Sequence, residues 1–122
     1  SFPSPGFVFI QGDVLDMDME CLARDVGIRD LVLSDLAPAT TGIRSTDAAR
    51  STRLAGRALE IALKLLRTGG HFVSKVFEGE DLKPFKEEVS SHFRQTRLLR
   101  PSAVRKGSRE VYVIGLSMRR RM

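Results

Sequence analysis

Two short apolar runs, Leu31-Val32-Leu33-Ser34-Asp35 and His71-Phe72-Val73-Ser74-Lys75-Val76-Phe77, flank a long segment whose apolar residues recur at helical spacing. Strand, helix and strand in that order predict an α/β sheet. The helix has N-cap candidates in Ser45, Thr46 and Asp47, runs to about Arg67 and is stopped by Gly69-Gly70. Leu54, Ala58, Ile61, Ala62 and Leu65 share its inner face, while Arg50, Arg53, Arg57, Glu60 and Lys64 lie on the opposite, solvated face. The run from Leu31 to Asp35 is apolar on both faces, as a central parallel strand should be.

The remaining elements follow the same alternation. Phe7 to Ile10 reads as a strand ended by Gly12-Asp13, and Met19 to Val26 as a short helix closed by Gly27. Asp81 caps a further helix that tolerates Pro84 in its first turn and buries Leu82, Phe85, Val89 and Phe93. Thr96 to Arg100 and Glu110 to Leu116 are joined by Pro101 to Ser108, a link shorter than the dozen or so residues a parallel crossover needs. They form an antiparallel hairpin, and the final strand runs backwards. The expected architecture is a mostly parallel sheet with an antiparallel C-terminal hairpin and helices on both faces, in a single domain over residues 1–122.

The single cysteine, Cys21, excludes an intrachain disulfide and reads as a small core residue, and no His/Cys cluster offers a metal site. No apolar run approaches the roughly 20 residues of a membrane span. A monomer in a reducing, cytoplasmic compartment is expected, mitochondrial for a eukaryotic source. Charge is strongly segregated: residues 1–93 hold 11 Lys/Arg against 14 Asp/Glu, whereas residues 94–122 hold 9 against 1. A basic C-terminal quarter suits a polyanion, and nucleic acid is the usual one.

Three charges interrupt the strand-like runs: Asp35, Lys75 and Glu110. An unpaired charge in a sheet core costs several kcal/mol, so charges that persist there pair with one another or do chemistry. Asp35 and Lys75 lie late in parallel strands, where ligands bind in open α/β sheets, and a reversed strand starting at Glu110 begins at that same rim. The three converge if the reversed strand lies beside the Lys75 strand. Two carboxylates keep a lysine protonated, so use of Lys75 as a base demands a further positive group.

Ser34-Asp35-Leu36-Ala37-Pro38 with Gly42, then Gly69-Gly70-His71-Phe72-Val73-Ser74-Lys75-Val76-Phe77-Glu78-Gly79, then Arg100-Pro101 and Ser108-Arg109-Glu110-Val111-Tyr112, resemble in order and spacing the FtsJ/RrmJ family of RNA 2′-O-ribose methyltransferases. The resemblance implies a Rossmann-like methyltransferase fold, S-adenosyl-L-methionine as cofactor, and large-subunit ribosomal RNA or a ribosomal particle as substrate. It further implies a Lys-Asp-Lys-Glu tetrad, whose last three members match Asp35, Lys75 and Glu110. Lys75 would take the proton of the ribose hydroxyl, Asp35 would lie near the methionine part of the cofactor, and Glu110 would tune the lysine. Asp13, with Val14, matches the adenine-contacting acid, and the main chain of Asp35, Leu36, Ala37 and Pro38 would border the cofactor. The family's first tetrad lysine, glycine-rich loop and cofactor-ribose acid precede the matching region, so the sequence reads as the C-terminal part of such an enzyme.

Arg44 and the hairpin residues Arg105, Lys106 and Arg109 are the candidate RNA contacts. A non-catalytic RNA-binding module would need the basic hairpin without Asp35 or Lys75. A nucleotide-dependent oxidoreductase would need a strand-Gly-x-Gly-x-x-Gly-helix unit, and none is found in these residues.

Overall fold

The computed structural model describes residues 14–101 and 110–120. The expected strand Phe7 to Ile10, Asp13, and the hairpin residues Arg105, Lys106 and Arg109 lie outside them. The described elements are α1 (Met19–Val26), β1 (Arg29–Ser34), α2 (Arg44–Leu65), β2 (Leu66–Phe77), α3 (Leu82–His92), β3 (Phe93–Leu99) and β4 (Glu110–Met118). They form one four-stranded sheet in the order β1-β2-β4-β3. β1 and β2 are parallel, and β4 is antiparallel to both β2 and β3. The reversed final strand therefore lies beside the Lys75 strand.

Alternation along β2 separates two faces. Phe72, Ser74 and Val76 are buried, whereas His71, Val73, Lys75 and Phe77 are half-buried. Ala55, Ala58, Leu59 and Ala62 of α2 and Phe85 and Val89 of α3 pack with Phe72, Val76 and Val113 in one cluster, so both helices cover the same face. α1 packs on α2, and among the described residues the Lys75 face carries no helix. Inside the core the Phe72 and Phe93 rings stack with centroids 6.2 Å apart.

Several local expectations change. α2 ends at Leu65, and Gly69-Gly70 lie within β2 rather than ending the helix. Leu66 is fully buried and already pairs with Arg29 of β1, so the strand begins there. The register jumps from Arg29↔Leu66 to Leu31↔His71, so β2 carries extra residues, and Gly69 absorbs them at φ 86. A Cβ on Gly70 would stand 3.0 Å from the Arg67 carbonyl oxygen and 3.1 Å from that of Asp30. β1 is outermost in the described sheet, and Leu31 and Leu33 are 48% and 69% exposed. Its expected second neighbour is not among the described residues.

Cys21 is exposed rather than buried, because α1 meets α2 on another stripe; its Sγ accepts a bond from Arg24. Arg57 is likewise not a solvated side chain. Its Nε donates to the Val14 carbonyl at 3.0 Å and its Nη2 to that of Met17 at 2.6 Å, tying the turn before α1 to α2.

The N-cap of α2 is Ile43, not Ser45, Thr46 or Asp47. Asp47 turns its buried carboxylate back to the loop, accepting from Thr41 N and Oγ1, both at 2.8 Å, and from Gly42 N at 3.2 Å. The Thr41 main-chain bond, helped by the hydroxyl, Gly42 and the Arg50 charge, outweighs burial and holds this carboxyl below its ordinary value of 3.8. A depressed carboxyl stabilises the fold above its unfolded pKa, and that contribution disappears as pH falls through the folded value. Asp47→Asn should therefore lower the unfolding midpoint at pH 7, and the gap from wild type should close below pH 3.8. Thermal melts across that range check this; a gap constant with pH would contradict it.

Candidate active site

Lys75, Tyr112 and Leu99 occupy one row across β2, β4 and β3, since Lys75 pairs with Tyr112 and Tyr112 with Leu99. Ser34 pairs with Ser74, so Asp35, just past the end of β1, reaches the level of Lys75. Phe77 pairs with Glu110, which places Glu110 on the same face, one side-chain row further toward the rim. Three segments remote in sequence thus deliver an acid, an amine and an acid to one end of the sheet.

Lys75 Nζ donates to Asp35 Oδ1 at 2.6 Å. The lysine side chain is only 14% exposed, whereas that of Asp35 is 71% exposed, so the amine is held in the protein and its partner faces solvent. The Asp35 hydrogen bond raises the Lys75 pKa above its ordinary 10.5; burial opposes this, and the charges of Asp35, Glu110 and Tyr112 reinforce it. As described, Lys75 is a cation. A raised lysine pKa stabilises the fold fully below its unfolded value, and the contribution is lost as pH rises through the folded one. Unfolding free energies of wild type and Lys75→Met should therefore converge above pH 10.5. Urea titrations between pH 8 and 12 check this, and a difference unchanged over that range would contradict it.

The rim around this pair is firmly built. Ser51 Oγ of α2 accepts the Phe77 N–H at 3.0 Å. A Cβ on Gly79 would stand 2.6 Å from the Ala48 Cβ, so α2 can approach the exit of β2 only over a glycine. Arg44 lies one turn before Ala48 on that helical stripe and is exposed at the same rim. Arg100 Nε donates to Glu78 Oε1 at 2.7 Å, joining the ends of β3 and β2. Sequence reasoning gave Asp47 a capping role in place of its hold on the loop, and missed Ser51 and the Glu78–Arg100 pair; only the helical spacing of 44, 47, 48 and 51 hinted at Ser51. Among the predicted cofactor contacts, Val14 offers its carbonyl to Arg57, Leu36 packs against the core, Ala37 is exposed and Pro38 half-buried. No group of three His, Cys, Asp or Glu side chains arranged for a metal occurs among the described residues. Nor is any described helix long and apolar enough to cross a membrane.

The "Ribosomal RNA large subunit methyltransferase E" of Desulfosudis oleivorans is 50% identical over 108 residues, 88% of this chain and 52% of that protein. Its namesake in Syntrophobacter fumaroxidans is 45% identical over 98% of this chain and 60% of its own length. The chain thus spans a little over half the length of these curated relatives. A crystal structure of a Plasmodium falciparum protein described as a ribosomal RNA methyltransferase superposes with TM-score 0.78 at 21% identity, covering 96% of this chain and 66% of that one. That likeness establishes a Rossmann-like methyltransferase fold. The family model "FtsJ-like methyltransferase" matches residues 1–118, and the chain belongs to this family.

Proposed function

We propose that the protein transfers a methyl group from S-adenosyl-L-methionine to a ribose 2′-hydroxyl of large-subunit ribosomal RNA, with Lys75, Asp35 and Glu110 at the reacting centre. The observation that carries this reading is the 2.6 Å contact between a mostly buried amine and an exposed carboxylate at the carboxyl end of a parallel strand. That exposed acid, followed by the anchored Leu36, fits a cationic ligand, and the Ala37 and Pro38 main chain, with Asp13 and Val14, would border the rest of it. Bound there, S-adenosyl-L-methionine supplies an electrophilic methyl on a positively charged sulfur, which departs with the electrons of the broken carbon–sulfur bond.

Lys75 Nζ takes the proton of the 2′-hydroxyl as the oxygen forms its new bond to carbon. To do so it must be neutral, and a cation brought to this rim lowers its pKa toward working pH. Asp35 fixes the direction of the Nζ lone pair, and Glu110 stabilises the ammonium once the proton has moved. Arg44 and the hairpin residues Arg105, Lys106 and Arg109 contact the RNA backbone. A test is methyl transfer by the intact protein to ribosomal particles, comparing wild type with Asp35→Ala. Label should enter large-subunit RNA and fall by at least about 100-fold in the variant, the scale of one well-placed polar group; label confined to small-subunit RNA or to protein would refute the substrate assignment.

A further inference from the structure

β3 is the outermost strand on the side of the sheet opposite β1, and among the described residues it pairs only with β4. Along it lie Arg94 and Arg97, with Arg100 just beyond its end, at three-residue spacing. Arg100 stands one residue past the Lys75-Tyr112-Leu99 row, and it is engaged by Glu78. At the other end Phe93 pairs with Met118, and Arg119 N donates to the His92 carbonyl at 2.8 Å, so Arg119 stands across from His92 at the same end of the sheet as Arg94, with Arg120 next in the chain. Arg94, Arg97, Arg119 and Arg120 are all exposed. None of them enters an ion pair among the described residues. Glu110 is the one acid after residue 93, and it sits at the catalytic end. Arginines therefore run along the outermost described strand from rim to rim, on alternate faces at their three-residue spacing, over about 20 Å between Arg94 and Arg100 at strand rise, while Arg119 and Arg120 follow the end of its neighbour β4.

We propose that this edge is a second RNA-binding surface, a track on which Arg97, Arg94, Arg119 and Arg120 hold the phosphate backbone of the substrate RNA as it leaves the Lys75 rim. The inference rests on the RNA reading above. Arginine suits the role because its fork of donors matches phosphate oxygens and it stays charged at any working pH. Solvated charges also protect exposed strand edges from pairing with other chains, but that purpose is indifferent to the sign of the charge. Phosphate binding is not.

Charge reversal separates the two. In the intact protein, Arg94→Glu/Arg97→Glu/Arg119→Glu should reduce the slope of log affinity against log salt by about 2, from three contacts of about 0.7 each on single-stranded RNA. At 0.1 M salt this corresponds to an affinity loss of at least about 100-fold. The rate at saturating RNA should stay unchanged, because no substitution touches the Lys75 rim. Arg97→Glu alone should show about a third of the slope change, which keeps the test open if the triple variant is unstable. Unaltered affinity and slope, beside a wild type that binds RNA in a salt-dependent way, would overturn the track and leave the RNA reading standing. A wild type whose RNA affinity ignores salt would overturn both.

Discussion

Lys75→Arg should lower the rate of methyl transfer by about 10²- to 10⁴-fold, the range one general base contributes, while RNA affinity and fold persist. Arginine separates two roles that alanine confounds. It keeps the positive charge and can still engage Asp35, but it does not give up its proton at any accessible pH. If Lys75 served only to hold a charge beside Asp35, the arginine variant would retain most of the activity. The structure sharpens this expectation, because Asp35 holds Lys75 in its charged form, above its ordinary pKa of 10.5. If Lys75 is the base, it must be discharged by a positive neighbour, so the pH–rate profile should rise with alkalinity through an apparent pKa below 10.5. Single-turnover rates at saturating RNA, measured between pH 6 and 10, check both statements.

Phe93→Ala should destabilise the fold by about 3–5 kcal/mol, as large-to-small core substitutions of this size do. Against a total stability of roughly 5–15 kcal/mol, that loss leaves a protein close to its folding threshold. Phe93 is fully buried, ends α3, begins β3 and stacks on Phe72. Its ring also fills the space above Gly115, where a Cβ would stand 2.7 Å from the ring atoms. Gly115→Ala should therefore overpack the site by about 1–3 kcal/mol in the wild type, and much less beside Phe93→Leu. Urea unfolding of the four proteins gives the coupling. Additive effects would show that the ring and Gly115 do not meet.

Legibility followed the range of the physics that sets each feature. Met19 to Val26 closed by Gly27 was readable because capping is local, and Asp18 does accept from Glu20 N and Cys21 N ahead of it. The β3–β4 hairpin was readable because chain length alone forbids a crossover between those strands. Its neighbour was not; that β4 lies against β2 depends on packing, yet the charges of Asp35, Lys75 and Glu110 have a common meeting place only in that arrangement.

Where tertiary contacts compete with local signals, the sequence reading failed. Ser45, Thr46 and Asp47 look like caps, but Asp47 is drawn to the unpaired N–H groups of Thr41 and Gly42 in the preceding loop. Gly69-Gly70 looks like a helix stop, but Leu66 already pairs with Arg29 in the sheet and the glycines serve a register shift. Arg57 has the periodicity of a surface residue, and only the folded path of residues 14–17 supplies the carbonyls that hold it.

The most direct test is where the methyl lands and whether Lys75 puts it there. Ribosomal RNA treated with the intact protein and methyl-labelled S-adenosyl-L-methionine is digested with alkali, which cannot cleave next to a methylated 2′-oxygen. Label in alkali-resistant dinucleotides with wild type, and its loss with Lys75→Arg, is the predicted result. Label in mononucleotides carrying a methylated base, or equal ribose labelling by the variant, would contradict it.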